Sequence, residues 1–354
     1  MNIGEWSDGR MITVRAMQPQ EAKMLKKVGW RAFGIVERLF VGTPKTAMVA
    51  VMDDRIVGGI IYKYIQSQDK KIGYFDMAFI DPDYQGKGIG KKLYQETTAY
   101  LWSQGCDALT ALVKDDNVGS WQLFLNNGFS QTSMLEGVKQ LGFLPMLKQY
   151  FTTPTCIGNG MEFYLAVKEK EVPFKKVQSI TQIGLYLLIN FLIMLLPVYV
   201  GKQYTLNFAA MYLALLAGGV GVGYIATWFS PYKWKFRLNS CGGALVACLS
   251  FGALYPLWGN WYPVKYESSE SFRKAMGIQA LCKWIGLIVV TLVALVLRKQ
   301  NILMKNLYHI GSILLVLRCL NFYPFEFFGS RRIYLWHKSL FVLLGIVSIG
   351  IAMF

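Results

Sequence analysis

Asp81-Pro82-Asp83-Tyr84-Gln85-Gly86-Lys87-Gly88-Ile89-Gly90-Lys91-Lys92-Leu93-Tyr94 reads as a strand handing over to a helix through a glycine-rich, positively charged elbow. Gly86, Gly88 and Gly90 let the backbone take positive φ and approach an anion closely, and a helix beginning near Ile89 aims its unpaired N–H groups and positive dipole end at the same place. Lys87, Lys91 and Lys92 add charge there. The preceding run, Tyr74-Phe75-Asp76-Met77-Ala78-Phe79-Ile80, is apolar and aromatic at most positions and stops at Asp-Pro, a strand terminator. Alone, such a loop is either a phosphate cradle or an ordinary surface turn, so its surroundings decide.

Gln85, Gly88 and Gly90 stand in the order of the Gln/Arg-x-x-Gly-x-Gly/Ala loop, and the elbow resembles the acyl-CoA loop of the GNAT N-acetyltransferase superfamily. Downstream, Asn117-Val118-Gly119-Ser120-Trp121-Gln122-Leu123-Phe124-Leu125-Asn126-Asn127-Gly128-Phe129 resembles that family's Asn-x-x-Ala-x-x-x-Tyr-x-x-x-Gly-Phe signature. The resemblance covers residues 1–168. It implies an α/β domain with a mixed, splayed sheet into which acetyl-CoA wedges as co-substrate. It further implies that a backbone N–H at Phe79 or Ile80 grips the thioester carbonyl, that the segment Gln85, Gly86, Lys87, Gly88, Ile89, Gly90 and Lys91 receives the phosphates, and that Asn117 meets the pantetheine arm or the neighbouring strand bulge. The family's thiolate-protonating tyrosine falls on Phe124, which has no proton to give. Asp76, on the strand beside the expected thioester, is the candidate catalytic base; its other reading is a carboxylate hydrogen-bonded to a neighbour. Asp81 and Asp83 read as turn formers.

The chain has 354 residues, of which 54% are hydrophobic, and a formal net charge of +16. It is long enough for two domains and too apolar for one soluble globule, with the apolar excess after residue 176. The positive charge is not arranged as a basic, aromatic-interleaved nucleic-acid motif, so juxtamembrane cations are the simpler reading and no nucleic-acid partner is expected. Two histidines and six cysteines without a Cys-x-x-Cys pair argue against a metal site and against a disulfide framework. Met1 to Trp6 lack the basic flank and apolar core of a signal peptide, so the first domain is expected to stay in the cytoplasm.

In chain order, residues 11–16 predict a strand and Pro19-Gln20-Glu21 a helix start with a basic face. Residues 46–52 and 57–64 predict a hairpin joined by Asp53-Asp54-Arg55-Ile56, and 107–113 and 161–167 two further strands. The expected order is β-α-β-β-β-α-β-α-β. Pro145, Pro154 and Gly158 predict a long loop over 130–158. A charged linker spans 169–179, followed by an all-α membrane domain over 180–354 of about six helices. Four spans stand out, over 180–200, 206–229, 238–257 and 280–297, with two weaker ones over 302–320 and 340–354. Lys283 is expected near a span end, where it could snorkel. Trp258, Trp261, Tyr262 and Tyr266 predict an interfacial aromatic belt. Loop cations weakly favour a cytoplasmic N-terminal domain, and the cell membrane is the expected location.

Residues 205–340 weakly resemble a site-2-protease-like intramembrane metalloprotease through Asn321-Phe322-Tyr323-Pro324-Phe325-Glu326-Phe327-Phe328-Gly329. Gly329 replaces that family's zinc-binding aspartate. Gly219-Val220-Gly221-Val222-Gly223 stands where its His-Glu-x-x-His is expected, so the resemblance implies no metal. Close helix packing explains the same glycines, and Glu326 reads either as a partner of Arg331 or Arg332 or as a substrate contact. Two functions follow. One is a membrane-anchored N-acetyltransferase moving acetyl from acetyl-CoA to an amine on a membrane-associated peptide, protein or other acceptor. The other is an acyl-CoA-sensing domain on a non-proteolytic pseudoprotease or transporter-like module.

Overall fold

The computed structural model describes residues 12–34, 37–67, 69–114, 117–153, 161–174, 178–195, 206–239, 258–264, 267, 269–321 and 328–354. The chain divides into two compact units, passing from one to the other at residues 175–176.

In the first unit seven strands form one sheet: β1 (Ile12–Ala16), β2 (Ala47–Met52), β3 (Arg55–Ser67), β4 (Lys70–Ile80), β5 (Ala108–Val113), β6 (Ser130–Thr132) and β7 (Glu162–Val167). Their order across the sheet is β1-β2-β3-β4-β5-β7-β6. Every pairing is antiparallel except β4 with β5. The β2–β3 reversal is made by Asp53 and Asp54, both at positive φ, as the two-residue hairpin turn requires. Every residue of β5 and the run Ile72–Phe75 of β4 are buried, because helices cover both sides of the sheet centre. On one face α2 (Ile89–Ser103) and α3 (Val118–Asn126) pack Leu93 and Phe124 against Ile60 and Phe75. On the other, α1 (Ala22–Ala32) sets Leu25 and Val28 against Val49, Ile61 and Phe79. Beside it α4 (Met134–Leu141) and α5 (Phe143–Thr152) cover Ile72, Phe163 and Leu165.

Strand β6 and these last two helices correct the long loop expected over 130–158. Ser133 caps α4 on the Glu136 amide at 3.1 Å, and Gly142, at φ +96, turns the chain between the helices. Pro145 occupies the first turn of α5, where a missing N–H costs no helical hydrogen bond. Pro154 and Gly158 lie outside the described residues.

The second unit contains α6 (Ser179–Met194), α7 (Leu206–Thr227), β8 (Trp234–Asn239), β9 (Trp258–Pro263), α8 (Glu270–Leu297), α9 (Ile302–Cys319), α10 (Ser330–Trp336) and α11 (Lys338–Ala352). Among the described residues three helices, α7, α8 and α9, are long and apolar enough to cross a membrane, while α6 and α11 are shorter apolar helices. The all-α expectation fails at β8 and β9, which pair antiparallel with Phe236 opposite Trp261. Trp234, Phe236 and Leu238 alternate with Lys235 and Arg237, a period of two that suits a strand and not a helix. Trp261 and Tyr262, expected in an aromatic belt, are buried on β9. The span expected over 238–257 begins in β8, and its residues 240–257, like Tyr266 and Glu326, lie outside the described residues. Lys283 is also not at a helix end. It is buried midway along α8, with Nζ donating to Asn260 Oδ1 at 3.1 Å.

Candidate active site

Strands β4 and β5 pair only over Ile72–Phe75 and Ala108–Ala111. Strand β3 follows β4 to Ile80, and β7 follows β5 to Val113. The sheet therefore opens between β4 and β5 beyond Phe75, leaving one edge of β4 without a ladder. The Asp81 amide donates to Val57 O at 2.8 Å, which fixes the alternation along β4. Phe79 points its N–H at β3, while Ala78 and Ile80 point theirs into the opening.

The elbow sits at the end of β4. Asp81 Oδ1 accepts from the Asp83 amide at 3.2 Å, and the Gln85 side chain donates to Ile80 O at 3.2 Å, so both side chains shape the turn. Gly86 and Gly88 lie at φ +77 and +73, a conformation that favours glycine. A Cβ on Gly90 would stand 3.2 Å from Ile80 Cδ1 and 3.4 Å from Leu123 Cδ1, so its absence lets α2 approach the strand and α3. The amides of Gly86, Lys87, Gly88, Ile89 and Gly90 find no acceptor among the described residues. Five adjacent donors at a helix N-terminus fit a pyrophosphate. Lys87 lies over the Tyr84 ring, and Lys91 is exposed on the first turn of α2. Lys92 is turned away, donating to Ile12 O at 2.6 Å.

Asp76 is the first β4 residue past the parallel ladder. The β3–β4 register passes from Ile61–Met77 to Tyr62–Phe75, leaving Asp76 as the extra residue of a β-bulge. Its carboxylate is 2.8 Å from Lys63 Nζ. Asn117 caps α3, accepting from the Ser120 amide at 3.2 Å. Phe124 is buried edge-on to Phe75, Tyr94 and Phe129, with ring centroids at 5.2, 4.9 and 4.9 Å. Beside it Tyr94 donates its hydroxyl to Ser120 Oγ at 3.2 Å. Burial pushes the Tyr94 hydroxyl up to about 12, so it stays protonated at neutral pH.

The Tyr94–Ser120 pair and Glu162 were not singled out by the sequence. Ser120 stands at the alanine position of the quoted signature, but only the packing of α2 on α3 brings a tyrosine hydroxyl to it. Glu162 is buried opposite Val113, where β5 has already left β4; nothing in its local sequence marks it. Burial pushes the Cys106 thiol up to about 11, consistent with an inert core residue. Among the described residues no group of three His, Cys, Asp or Glu could hold a metal.

Residues 17–129, which contain the opening, the elbow and α3, match the family model described as Acetyltransferase (GNAT) family. A peptidyl-lysine N-acetyltransferase of Salmonella typhimurium is 24% identical over 139 residues, covering 37% of this chain and 92% of that protein. Among solved structures, the Escherichia coli ribosomal-protein-S18-alanine N-acetyltransferase has TM-score 0.30 at 20% identity, covering 35% of this chain and 80% of its own. A Brucella melitensis GNAT family acetyltransferase in complex with acetyl-CoA has TM-score 0.30 at 18% identity, with coverages of 47% and 93%. The N-terminal unit of this chain is an acetyl-CoA-dependent N-acetyltransferase domain of the GNAT type.

Proposed function

We propose that the chain is a membrane-anchored N-acetyltransferase that modifies an amine on a membrane-associated acceptor. The reading is carried by the opening between β4 and β5, which leads to the unpartnered amides of Gly86 to Gly90. Acetyl-CoA supplies an activated acetyl thioester. In this reading the elbow amides hold its pyrophosphate. Of the two amides expected at the carbonyl, strand alternation favours Ile80, whose N–H faces the opening, over Phe79. Asp76, at the apex of the opening, takes the proton from the acceptor amine, with Lys63, 2.8 Å away, orienting the carboxylate. The Tyr94 hydroxyl, next to the position where the family carries a tyrosine, returns a proton to the leaving thiolate. General-acid and general-base help of this kind contributes about 10²–10⁴-fold each. The three long apolar helices support membrane anchoring and hence an acceptor held near the bilayer; the cell membrane, with this domain on the cytoplasmic side, belongs to the same reading.

Phe124 favours a second reading, an acyl-CoA sensor regulating the C-terminal unit, because it removes the usual proton donor. Titrating acetyl-CoA into the detergent-solubilised chain, then assaying free-thiol release with a panel of amines, separates the two. Binding that is lost in Gly88→Glu/Gly90→Glu, with amine-dependent thiol release by the parent, supports the enzyme. Binding without release from any amine supports the sensor, and no binding overturns both.

A further inference from the structure

In the N-terminal unit α2 and α3 turn polar or small side chains outward, among them Gln95, Ser103 and Asn126, as water-facing helices do. Helix α5 does the reverse. Pro145, Met146 and Gln149 are buried, while Phe143, Leu144, Leu147, Tyr150 and Phe151 are exposed, Phe143 at 64% and Phe151 at 72%. Leu135 of α4 is exposed as well. Five large apolar side chains on the outside of a ten-residue helix add nothing to the core and mark a contact surface.

Helix α1 carries a second outward stripe, and this one is cationic. Lys23, Met24, Lys27 and Trp30 are exposed, Lys26 lies over the Trp30 ring, and the helix contains no acidic residue. Arg31 is held by Asp81 and Asp83, which leaves three lysines to meet an outside partner. Both helices stand on one side of the sheet. Helix α1 covers Ile61 of β3 and α5 covers Ile65, four residues further along and so on the same side. Lys63, between them, brings its ion pair with Asp76 to that side too. Aromatic rings and leucines beside lysines suit the interfacial layer of an anionic bilayer, where rings sit at headgroup depth and ammonium groups meet lipid phosphates. A second copy would bring a like-charged face, which is unfavourable. The same chain has three helices long and apolar enough to cross a membrane, so a bilayer is the apolar phase within its reach.

We infer that this face, α1 with α5, rests on an anionic lipid bilayer and so presents the Lys63–Asp76 pair to amines held at the lipid surface. The inference rests on the membrane-anchored reading above. In the test the photocrosslinker p-benzoylphenylalanine replaces Phe151 or Trp30, and as controls Gln95 or Asn126, in the full chain reconstituted into vesicles of equimolar phosphatidylcholine and phosphatidylglycerol. Mass spectrometry of the irradiated chain should find lipid adducts at Phe151 and Trp30 about tenfold or more above the controls. Lys23→Glu with Lys27→Glu should lower the Phe151 adduct about fivefold or more in these vesicles, and much less in phosphatidylcholine alone. Carbonate extraction of unirradiated vesicles reports the anchor separately. A chain that resists carbonate but shows no excess of lipid adducts at Phe151 and Trp30 overturns the docking and leaves the anchor standing. A chain that carbonate strips, yet that gives the adducts, upholds the docking as a peripheral contact and overturns the anchor. Neither adducts nor retention overturns both. Adducts from Phe151 to this chain's own peptides or to another copy, in place of lipid, also overturn the docking.

Discussion

Lys63 of β3 holds the carboxylate of Asp76 of β4 at 2.8 Å, and Asp76 lies one residue beyond the last β4–β5 pair, on a bulge. The bulge breaks the alternation where the sheet opens, so the ion pair sits at the apex of the proposed acetyl site. Asp76→Asn keeps the shape and removes the base. We expect kcat to fall about 10²–10⁴-fold with acetyl-CoA affinity within twofold of the parent. Lys63 is half-exposed, and Lys63→Met should lower kcat less than tenfold. Steady-state kinetics beside calorimetric titration checks both, and an Asp76→Asn enzyme of parental kcat assigns the carboxylate to a structural role.

The Tyr94–Ser120 hydrogen bond predicts a different pattern. Tyr94→Phe loses the proposed thiolate donor and should reduce kcat about tenfold or more while destabilising the unit by about 1 kcal/mol. The alkaline limb follows from burial. The Tyr94 hydroxyl titrates at about 12 in the folded unit and near 10 when unfolded. Its contribution is fully present below pH 10 and is lost as pH rises toward 12, a span worth on the order of 2–3 kcal/mol. Tyr62 is also raised by burial, so Tyr94→Phe should flatten only part of the stability loss above pH 10. Denaturant melts at pH 8, 10 and 11 measure this.

The elbow was legible because its chemistry is local: glycines at positive φ and a helix start leave a mark in three or four adjacent residues. The Asp53-Asp54 turn was legible for the same reason. The bulge at Asp76 was not, since a register shift exists only between two strands. Pro145 reads as a breaker, yet its effect depends on which turn of a helix it occupies. The Trp234 to Leu238 alternation carried the strand signal for β8, but its apolar positions run into the uncharged stretch that follows, and a hydropathy window averages the two. Lys283 looked terminal because the polar first turns of α8, with Glu270, Arg273 and Lys274, do not resemble the apolar remainder.

Two glycines of the elbow, left-handed Gly86 and helical Gly90, separate backbone cost from packing cost. A Cβ on Gly86 would meet nothing within 4 Å, so Gly86→Ala carries only the left-handed conformational penalty of about 1–2 kcal/mol. Whether that penalty is met by strain or by moving the amides, acetyl-CoA affinity should drop, by about three- to thirtyfold. Gly90→Ala has an ordinary helical backbone and needs a few tenths of an ångström from Ile80 and Leu123; its affinity should fall less than threefold. Reversal of that order would place the pyrophosphate away from the Gly86 amide.

Helix α10 packs onto α8 where Gly277 faces Trp336. A Cβ on Gly277 would stand 2.7 Å from Trp336 Cδ2 and 2.9 Å from its Cβ, too close for rotation of the ring alone to relieve. Gly277 is therefore the point at which the α8 backbone admits the indole, and that contact fixes the helix carrying Arg331 and Arg332. Gly277→Leu should overpack the contact at a cost of about 1–3 kcal/mol, lowering the melting temperature of the detergent-solubilised chain. The N-terminal unit has its own core, so acetyl-CoA binding should remain within twofold of the parent. Gly277→Leu combined with Trp336→Ala, which removes the obstructing ring, should recover part of the lost stability. Without that recovery the Gly277 position would owe its sensitivity to something other than the indole.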